Sequence, residues 1–294
     1  MADTGILGEL HIDGTWAQKR LILPVIMEAL ELTDLAAPPI CKTLTSTKLK
    51  ATIPMLGNVP VSSQLAEFEE ALAGTGTPAG YDIEVLKDRV VLAVSDEAKI
   101  QSDVGDPMSL QQQQAAGALA SNLNKLIAAR LNTTPQVYNT TGDLGNWAAA
   151  GAKPTLALNK LSIGMGIYKP TAYVMGTLAA AYYSDAVGDK AAVQGISEWG
   201  NAAMRHPTQN VPIYSSTDID NLDDTSGNRF VFAVCNRVPG VINVLSQVKA
   251  TSEYDRKLGA EVYQYDIWRT PFSNLRQTSG NLNLGVMRGH MTES

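Results

Sequence analysis

Apolar and polar positions along the chain change their spacing several times, and each change predicts a different element. Residues 15–35 are helix-forming on either side of Pro24, which ends one helical piece or opens the next. Residues 36–60 are rich in Thr, Pro and β-branched side chains, a composition typical of extended chain with turns. Residues 61–80 are small, polar and acidic, with a Gly/Pro/Thr cluster, and they predict a protruding loop.

The chain returns from this loop through residues 81–98, where β-branched side chains are frequent. Val85 and a following apolar run predict a strand that is partly buried on both faces; the run consists of Val90, Val91, Leu92 and Val94. Two extended segments joined by a glycine-rich tip predict a long hairpin.

A long helix is predicted from Pro107 to Leu131, with Asp106 as its N-cap and Pro107 in its first turn. Apolar residues recur there at helical spacing: Ala116, Leu119, Leu123, Leu126, Ile127 and Leu131. Gln, Asn and Lys125 occupy the opposite face. A helix of this length, about 25 residues, extends about 37 Å and predicts the rigid spine of the molecule.

The chain beyond Pro135 predicts a compact mixed α/β region followed by a return strand. We predict strands at 155–167, 211–216, 229–236, 259–272 and 281–289, and helices at 169–185 and 189–204. No internal repeat interrupts this order. The elements together predict an α+β fold.

Composition excludes several classes of protein. With 294 residues, 45% hydrophobic and 18% charged, the chain can bury a substantial core in one or two domains. No apolar run approaches the roughly 18 residues of a membrane span, and the first residues lack a secretory pattern. We therefore expect a soluble protein made in a cytoplasm. A net charge of −6 with thinly spread Lys and Arg predicts only weak, non-specific contact with double-stranded DNA.

The residues that usually carry chemistry are scattered. Cys41 and Cys235 lie far apart without metal-ligand spacing, and His11, His206 and His290 lie in separate regions. The chain contains no phosphate loop, nucleophile elbow or HExxH pair. We therefore predict no catalytic residue, no cofactor, no metal ion and no enzymatic activity.

Two segments have a competing interpretation. Gly74 to Gly80 superficially resembles a dinucleotide-binding fingerprint, but the spacing differs and no helix follows, so a loop tip is favoured. The acidic run at 218–224 carries four aspartates that could surround a cation. It lacks the glycine and terminal glutamate of an EF-hand, so a solvated acidic loop is favoured while cation binding stays open.

The order of elements over nearly the full chain resembles that of the Hong Kong 97-type major capsid proteins of tailed bacteriophages and related archaeal viruses. Residues 87–103, KDRVVLAVSDEAKIQSD, look like the strand that leads into the peripheral domain of that family. Residues 251–272 are similar to its return strand. The resemblance implies an N-terminal arm at 1–50, an extended loop at 51–90, a peripheral domain at 91–135 and 246–294, and an axial domain at 136–245.

The resemblance also implies a function. The chain would assemble through pentamers and hexamers into an icosahedral viral capsid that encloses double-stranded DNA, located in the virion after assembly in the host cytoplasm. Intersubunit contacts are expected in the extended loop, at Leu65, Phe68, Glu69 and Leu72. Since the sequence starts almost directly with the arm, we expect any scaffolding protein to be a separate chain. Portal and cement proteins are further expected partners. No contact with a membrane is expected.

Some members of this family cross-link a loop lysine to an asparagine of a neighbouring subunit. Lys48 and Lys50 are available in this chain, but no partner asparagine stands out, so this chemistry is not carried over. Two alternatives stay open at this point. One is an encapsulin-type cellular compartment, which has the same type of fold; the other is a soluble enzyme built on the mixed α/β region at 136–245.

Overall fold

A computed structural model describes most of the chain. The described residues are 11–13, 34–55, 79–95, 97, 107–139, 141–149, 151–187, 204–220, 222, 227–238, 240–273 and 285–292. The strands are β1 His11–Asp13, β2 Cys41–Thr45, β3 Lys50–Met55, β4 Ala79–Glu84, β5 Lys87–Ser95, β6 Asp143–Asn146, β7 Ala172–Met175, β8 Met204–Arg205, β9 Pro212–Ser215, β10 Asn228–Val234, β11 Val241–Asp255, β12 Ala260–Ser273 and β13 Val286–Thr292. The helices are α1 Pro107–Asn132, α2 Pro154–Gly164, α3 Thr177–Val187 and α4 Thr217–Asp220, with a 3-10 helix at Asp34–Ala36.

A five-stranded sheet is built around the long antiparallel pair β11 and β12, which a turn connects between Asp255 and Ala260. β5 pairs antiparallel with the outer edge of β12, and β1 and β2 pair parallel with the other edge of β11. The return strand predicted at 259–272 is confirmed as β12. The wider segment 251–272 is a hairpin and not a single strand, because it includes the end of β11 and the turn.

The spine helix is confirmed as α1, which packs on one face of this sheet. Its Ala116, Leu119 and Ala120 contact Val94 of β5 and Ile267 of β12 in one buried cluster. The last turn of α1 is capped by the guanidinium of Arg288, whose Nη1 donates to the carbonyl of Asn132 at 2.8 Å. A cation at the C-terminal end of a helix is stabilising, because it interacts favourably with the negative end of the helix dipole.

The prediction that β5 is partly buried on both faces is wrong. Side chains alternate along this strand: Val94 faces the helix and is 1% exposed, while Val91 faces away and is 53% exposed. The antiparallel pairing explains the pattern, because successive side chains of a strand point to opposite faces and α1 covers only one of them.

A six-stranded sheet with the order β6-β13-β10-β7-β9-β8 forms the second layer of structure. α2 and α3 pack against it through Leu158, Leu161 and Tyr183, all of which are fully buried. The predicted strands at 211–216, 229–236 and 281–289 correspond to β9, β10 and β13. β13 pairs antiparallel with β10, so this sheet draws a strand from the C-terminal part of the chain.

Two predicted elements in this region are wrong. Residues 155–167 were expected to be a strand, but Pro154 opens α2, and Ala157, Leu158 and Leu161 are buried at helical spacing. A short apolar run such as this one fits both the two-residue period of a strand and the 3.6-residue period of a helix. Residues 169–185 were expected to be one helix, but β7 precedes α3, because the aromatic and β-branched segment Ala172–Met175 is buried between neighbouring strands.

The two extended arms of the predicted hairpin are confirmed as the antiparallel pair β3 and β4, from Lys50 opposite Glu84 to Met55 opposite Ala79. The chain then leaves this pair through Val85 and Leu86 and joins the five-stranded sheet as β5. The hairpin tip at 56–78 lies outside the described residues. The predicted helices at 15–35 and 189–204 also lie outside them, apart from Asp34, Leu35 and Met204.

Candidate functional site

The residues predicted to contact neighbouring subunits, Leu65, Phe68, Glu69 and Leu72, lie outside the described part of the chain. The structure does describe the base from which their segment departs. Ile83 and Val85 pack there against Ile242 and Val244 of β11 in a buried cluster. The base of the hairpin is therefore part of the core.

The acidic run contains a structural carboxylate. Both oxygens of Asp220 in α4 accept bonds from the first turn of α3: the backbone N–H of Thr177 at 2.9 Å, its hydroxyl, and the N–H of Leu178 at 3.4 Å. Asp220 thus caps a helix that is distant in sequence. Among the described residues, no three His, Cys, Asp or Glu side chains are grouped as metal ligands. Asp223 and Asp224 lie outside them.

His206 is fully buried beneath α2, and both of its ring nitrogens make hydrogen bonds. The backbone N–H of Gln209 lies 3.2 Å from Nδ1, which acts as acceptor, so Nε2 carries the proton and donates to the carbonyl of Thr155 at 3.2 Å. Burial lowers the pKa of this histidine, and the bond to Thr155 opposes the effect only in part. His206 is a neutral packing residue at pH 7.

The two cysteines are free and buried. Burial raises the pKa of the Cys41 thiol to about 12. Because the thiolate is the reactive form, Cys41 is protonated and unreactive at neutral pH.

A charged cluster on the face of the five-stranded sheet opposite α1 was not anticipated from the sequence. The carboxylate of Asp266 accepts bonds from Arg89 Nε at 2.7 Å and Gln264 Nε2 at 2.8 Å, and it pairs with Lys87 Nζ at 3.0 Å. The Lys87 ammonium also lies 5.0 Å from the centre of the Trp268 ring. The only available signal was the register that places Asp266 opposite Arg89.

An open groove of about 600 Å³ lies beside the hairpin, between β4, the end of α1 and the end of β12. We call it the hairpin-base groove, and its main lining residues are Asp82, Glu84, Leu86, Arg130, Pro135 and Phe272. Asp82 and Glu84 are exposed, and Leu86 is 61% exposed. The groove thus combines two carboxylates with an apolar surface.

The opposite end of the same sheet carries an exposed turn, residues 254–258, which we call the β11–β12 tip. Leu258 is 65% exposed and Tyr254 is 49% exposed, and Arg256 and Lys257 are exposed between them. The N–H of Lys257 donates to Asp255 Oδ1 at 2.8 Å, which fixes the turn. Another exposed apolar pair, Ile163 and Ile167, lies at the end of α2.

Helices in the described part of the chain do not combine the length and the apolar character that crossing a membrane requires. The described residues thus form the base of a β-hairpin, a spine helix on a long sheet, and a second α/β layer. No family model matches the chain, and no curated protein sequence matches it.

Solved structures share this fold over most of the chain. The capsid of a native GTA particle is 12% identical, with a TM-score of 0.64 over 89% of this chain and 90% of that one. A structure from Mycobacterium phage Che8 is 14% identical, with a TM-score of 0.56 over 84% of this chain and 85% of that one. A virus-like particle from Pyrococcus furiosus is 10% identical, with a TM-score of 0.57 over 94% of this chain and 100% of that one. The chain therefore has the Hong Kong 97-type capsid fold, as the sequence predicted.

Proposed function

We propose that this protein is the major subunit of an icosahedral viral capsid that encloses double-stranded DNA, and that it assembles through pentamers and hexamers without enzymatic activity. The observation that carries the proposal is the fold shared with the capsid of the GTA particle along nine tenths of both chains. At this low identity the fold is the shared property, so the function rests on fold together with the exposed surfaces.

The shape of the chain suits such a role. Subunits in rings of five and six meet through the same pair of different surfaces, and each contact must accept small changes of angle. A long hairpin lying over a neighbour spreads its contact area without requiring one rigid docking angle. We assign the intersubunit contacts of this loop to Leu65, Phe68, Glu69 and Leu72.

The domain division proposed for the capsid is an arm at 1–50, the loop at 51–90, a peripheral domain at 91–135 and 246–294, and an axial domain at 136–245. α1 and the β11–β12 pair support a peripheral unit. The pairing of β13 with β10 adds a strand from the C-terminal range to the axial sheet. Separate scaffolding, portal and cement proteins are the expected partners in the virion, with assembly in the host cytoplasm.

Contact with packaged DNA is proposed to be weak and independent of sequence. The net charge of −6 repels phosphate, so the enclosed DNA is free to slide. Filter binding of free subunits to unrelated duplexes at physiological salt should give dissociation constants above about 1 µM. Tight, sequence-selective binding would contradict this part of the proposal.

Electron microscopy of the purified protein over a range of concentrations tests the main proposal. Closed particles of uniform diameter with five-fold and six-fold capsomers are expected, alone or after addition of the scaffolding protein encoded nearby. A protein that stays monomeric under all these conditions, and that binds a small molecule in a closed pocket, would instead favour the soluble enzyme.

A second candidate is a cellular compartment of the encapsulin type. It is favoured by one observation: the alignment with the Pyrococcus furiosus virus-like particle spans the whole of that chain. Neighbouring genes separate the two candidates, because portal and terminase genes accompany a virus, whereas a single cargo enzyme accompanies a compartment.

A further inference from the structure

The outer face of α2 carries a stripe in which lysines alternate with large apolar side chains. At about 100° per residue, four side chains on and just before this helix lie within an arc of about 80°: Lys153, Leu156, Lys160 and Ile163. All four are exposed. The opposite side of the helix packs on the core through Ala157, Leu158 and Leu161. We call the four outer residues, together with the exposed Ile167 and Lys169 just beyond the helix, the α2 stripe.

The apolar part of the stripe is uncovered in the free subunit. Ile163 is 78% exposed and Ile167 is 86% exposed, and Leu156 is half exposed on the same face. One exposed apolar side chain needs no explanation, but a contiguous group of them marks a surface that another molecule covers. The stripe is therefore a candidate docking surface.

The charge of the stripe is opposite to that of the protein. Residues 144–184 contain three lysines and no Asp, Glu or Arg, whereas the whole chain has a net charge of −6. The elements that pack on α2 supply two carboxylates, Asp143 of β6 and Asp185 of α3. In the described part of the chain, neither forms an ion pair with a lysine of the stripe. A partner that brings its own carboxylates would therefore be favoured.

An open pocket of about 670 Å³ lies at the end of the stripe, and its lining includes Ile163, Gly166, Lys169, Pro170 and Val211. Its wall is held in place by Gln209. The amide Nε2 of Gln209 donates to Asn159 Oδ1 at 2.7 Å, and its Oε1 accepts from the Tyr173 hydroxyl at 2.6 Å. The pocket can thus receive one large apolar side chain without ordering its own wall first.

The spacing of the stripe fits a second helix. Lys153 and Lys160 are seven residues apart, about 10.5 Å along the axis, which is also the rise between residues i and i+7 of a partner helix. Carboxylates at those two partner positions can face both lysines, while apolar side chains between them cover Leu156 and Ile163. A DNA duplex would satisfy the lysines, but its phosphate backbone offers no apolar surface to cover the isoleucines.

Helices in the described part of the chain do not offer this pattern, so they cannot supply the partner from a second copy. α1 and α2 contain no Asp or Glu, α3 contains only Asp185, and α4 is four residues long. Two copies that met through the same stripe would bring their lysines together, which is unfavourable. The complementary helix therefore belongs to a different protein.

We propose that the α2 stripe docks an acidic amphipathic helix of a different protein. Carboxylates of that helix pair with Lys153 and Lys160, and one of its large apolar side chains enters the pocket beside Ile163. The inference rests on the proposed function in one respect: a shell that assembles with separate partner proteins needs a surface that recruits one of them.

Binding of a synthetic peptide to free subunits tests the docking. The probe is a helix-forming peptide of about 20 residues with Glu at positions i and i+7 and Leu on the same face. Fluorescence anisotropy should give a dissociation constant of about 1–50 µM. A peptide of the same composition in scrambled order should bind at least about tenfold more weakly. Equal binding of the two peptides would overturn the proposal.

Charge exchange identifies the lysines that make the contact. Lys153→Glu/Lys160→Glu should weaken binding of the acidic peptide at least about tenfold. A peptide with Lys in place of Glu should bind this variant within about threefold of the original pair, which also shows that the variant folds. Arg256→Glu/Lys257→Glu, exposed at the β11–β12 tip, makes the same change of net charge and should bind the acidic peptide like wild type. Failure of the exchanged peptide to bind would overturn the proposal.

The apolar residues separate a helix from a simple anion. Ile163→Ser/Ile167→Ser should weaken binding of the acidic peptide about tenfold, because it removes the apolar contact. Leu86→Ser/Leu258→Ser, which also changes two exposed side chains, is the control and should have no effect. If the isoleucines do not matter and duplex DNA displaces the peptide, the stripe recognises phosphate and the proposal is overturned.

Access to the stripe in assembled shells separates a partner helix from a second copy. Both natural cysteines are buried, so Ile163→Cys adds an exposed thiol. This thiol should react with maleimide at similar rates in free subunits and in shells. Protection in the shells alone would mean that a neighbouring copy covers the stripe, and this would overturn the proposal.

The docking surface and the shell function fail separately, because the peptide is measured on free subunits. Shells that form from subunits unable to bind the peptide would overturn the docking surface and leave the shell function standing. Subunits that bind the peptide with the expected pattern but never form closed particles would support the docking surface and contradict the shell function.

Discussion

The guanidinium of Arg269 in β12 lies against the carboxylate of Asp88 in β5, with Nε 2.7 Å from Oδ2. Its Nη2 donates to the carbonyl of Leu119, near the middle of α1, at 2.6 Å. The Arg269 side chain is only 5% exposed and that of Asp88 is 19% exposed. One buried cation thus joins the spine helix to two strands of the sheet.

Removing the carboxylate partner of this cation should destabilise the subunit strongly. Asp88→Ala leaves Arg269 buried without its counterion, and the free energy of unfolding should fall by about 3 kcal/mol. The double variant Asp88→Ala/Arg269→Met removes the charge as well and should be more stable than Asp88→Ala alone. Denaturant unfolding of isolated subunits measures both, and a double variant that is less stable than the single one would contradict the interpretation.

Acid should weaken the sheet through Asp266. Burial by itself raises the pKa of this carboxyl, but hydrogen bonds from Arg89, Lys87 and Gln264 together lower it below its usual value. Because the folded-state pKa lies below the unfolded value of about 3.9, the stabilisation is present above that pH and is lost as the pH falls through the folded-state pKa. The melting temperature of wild type should therefore fall more steeply between about pH 5 and 3 than that of Asp266→Asn. If the melting temperatures of wild type and Asp266→Asn changed equally with pH, this role of Asp266 would be contradicted.

His206 should make the subunit less stable at mildly acidic pH. Burial lowers the folded-state pKa of His206 below the unfolded value of about 6.5, so the unfolded chain takes up the proton first. Stability is full above that pH and declines as the pH falls through it. The variant His206→Asn keeps an acceptor toward the N–H of Gln209 but cannot titrate. It should show a smaller change of melting temperature between pH 7 and 5 than wild type, and an equal change would assign the effect to other groups.

Local signals and long-range contacts explain which features the sequence could predict. α1 was predictable because a proline opens it and apolar residues recur at helical spacing from Ala116 to Leu131. The boundary between β7 and α3 was not, since it depends on burial of Ala172–Met175 between strands and on a cap from Asp220. The pairing of Arg89 with Asp266 spans 177 residues of sequence, and only the register of the assembled sheet brings them together.

The cap on α3 predicts a measurable cost for removing Asp220. Asp220→Ala leaves the N–H groups of Thr177 and Leu178 without this acceptor, and stability should fall by about 1 kcal/mol. Asp218→Ala, in the same short helix and the same acidic run, is the matched control and should cost less. Chemical unfolding measures both variants. Equal losses would mean that the run acts through its total charge and not through the cap.

The hairpin loop should serve assembly and not folding. β4 begins at Ala79, so residues 62–78, which include Leu65, Phe68, Glu69 and Leu72, can be replaced without removing either strand of the base. A short Gly-Ser linker there should change the melting temperature of isolated subunits little, because the length of a surface loop has a weak effect on stability.

Closed shells should fail to form from this variant. A second variant, with a Gly-Ser linker of the original length, is the control for loop length. If the side chains of the loop make the intersubunit contact, this variant should also fail to form shells. If the loop acts only as a spacer, this variant should form shells. Electron microscopy detects shell formation, and the melting temperature of isolated subunits reports whether they fold. Normal shells from both linkers, or subunits that no longer fold, would show that 62–78 is not an intersubunit loop.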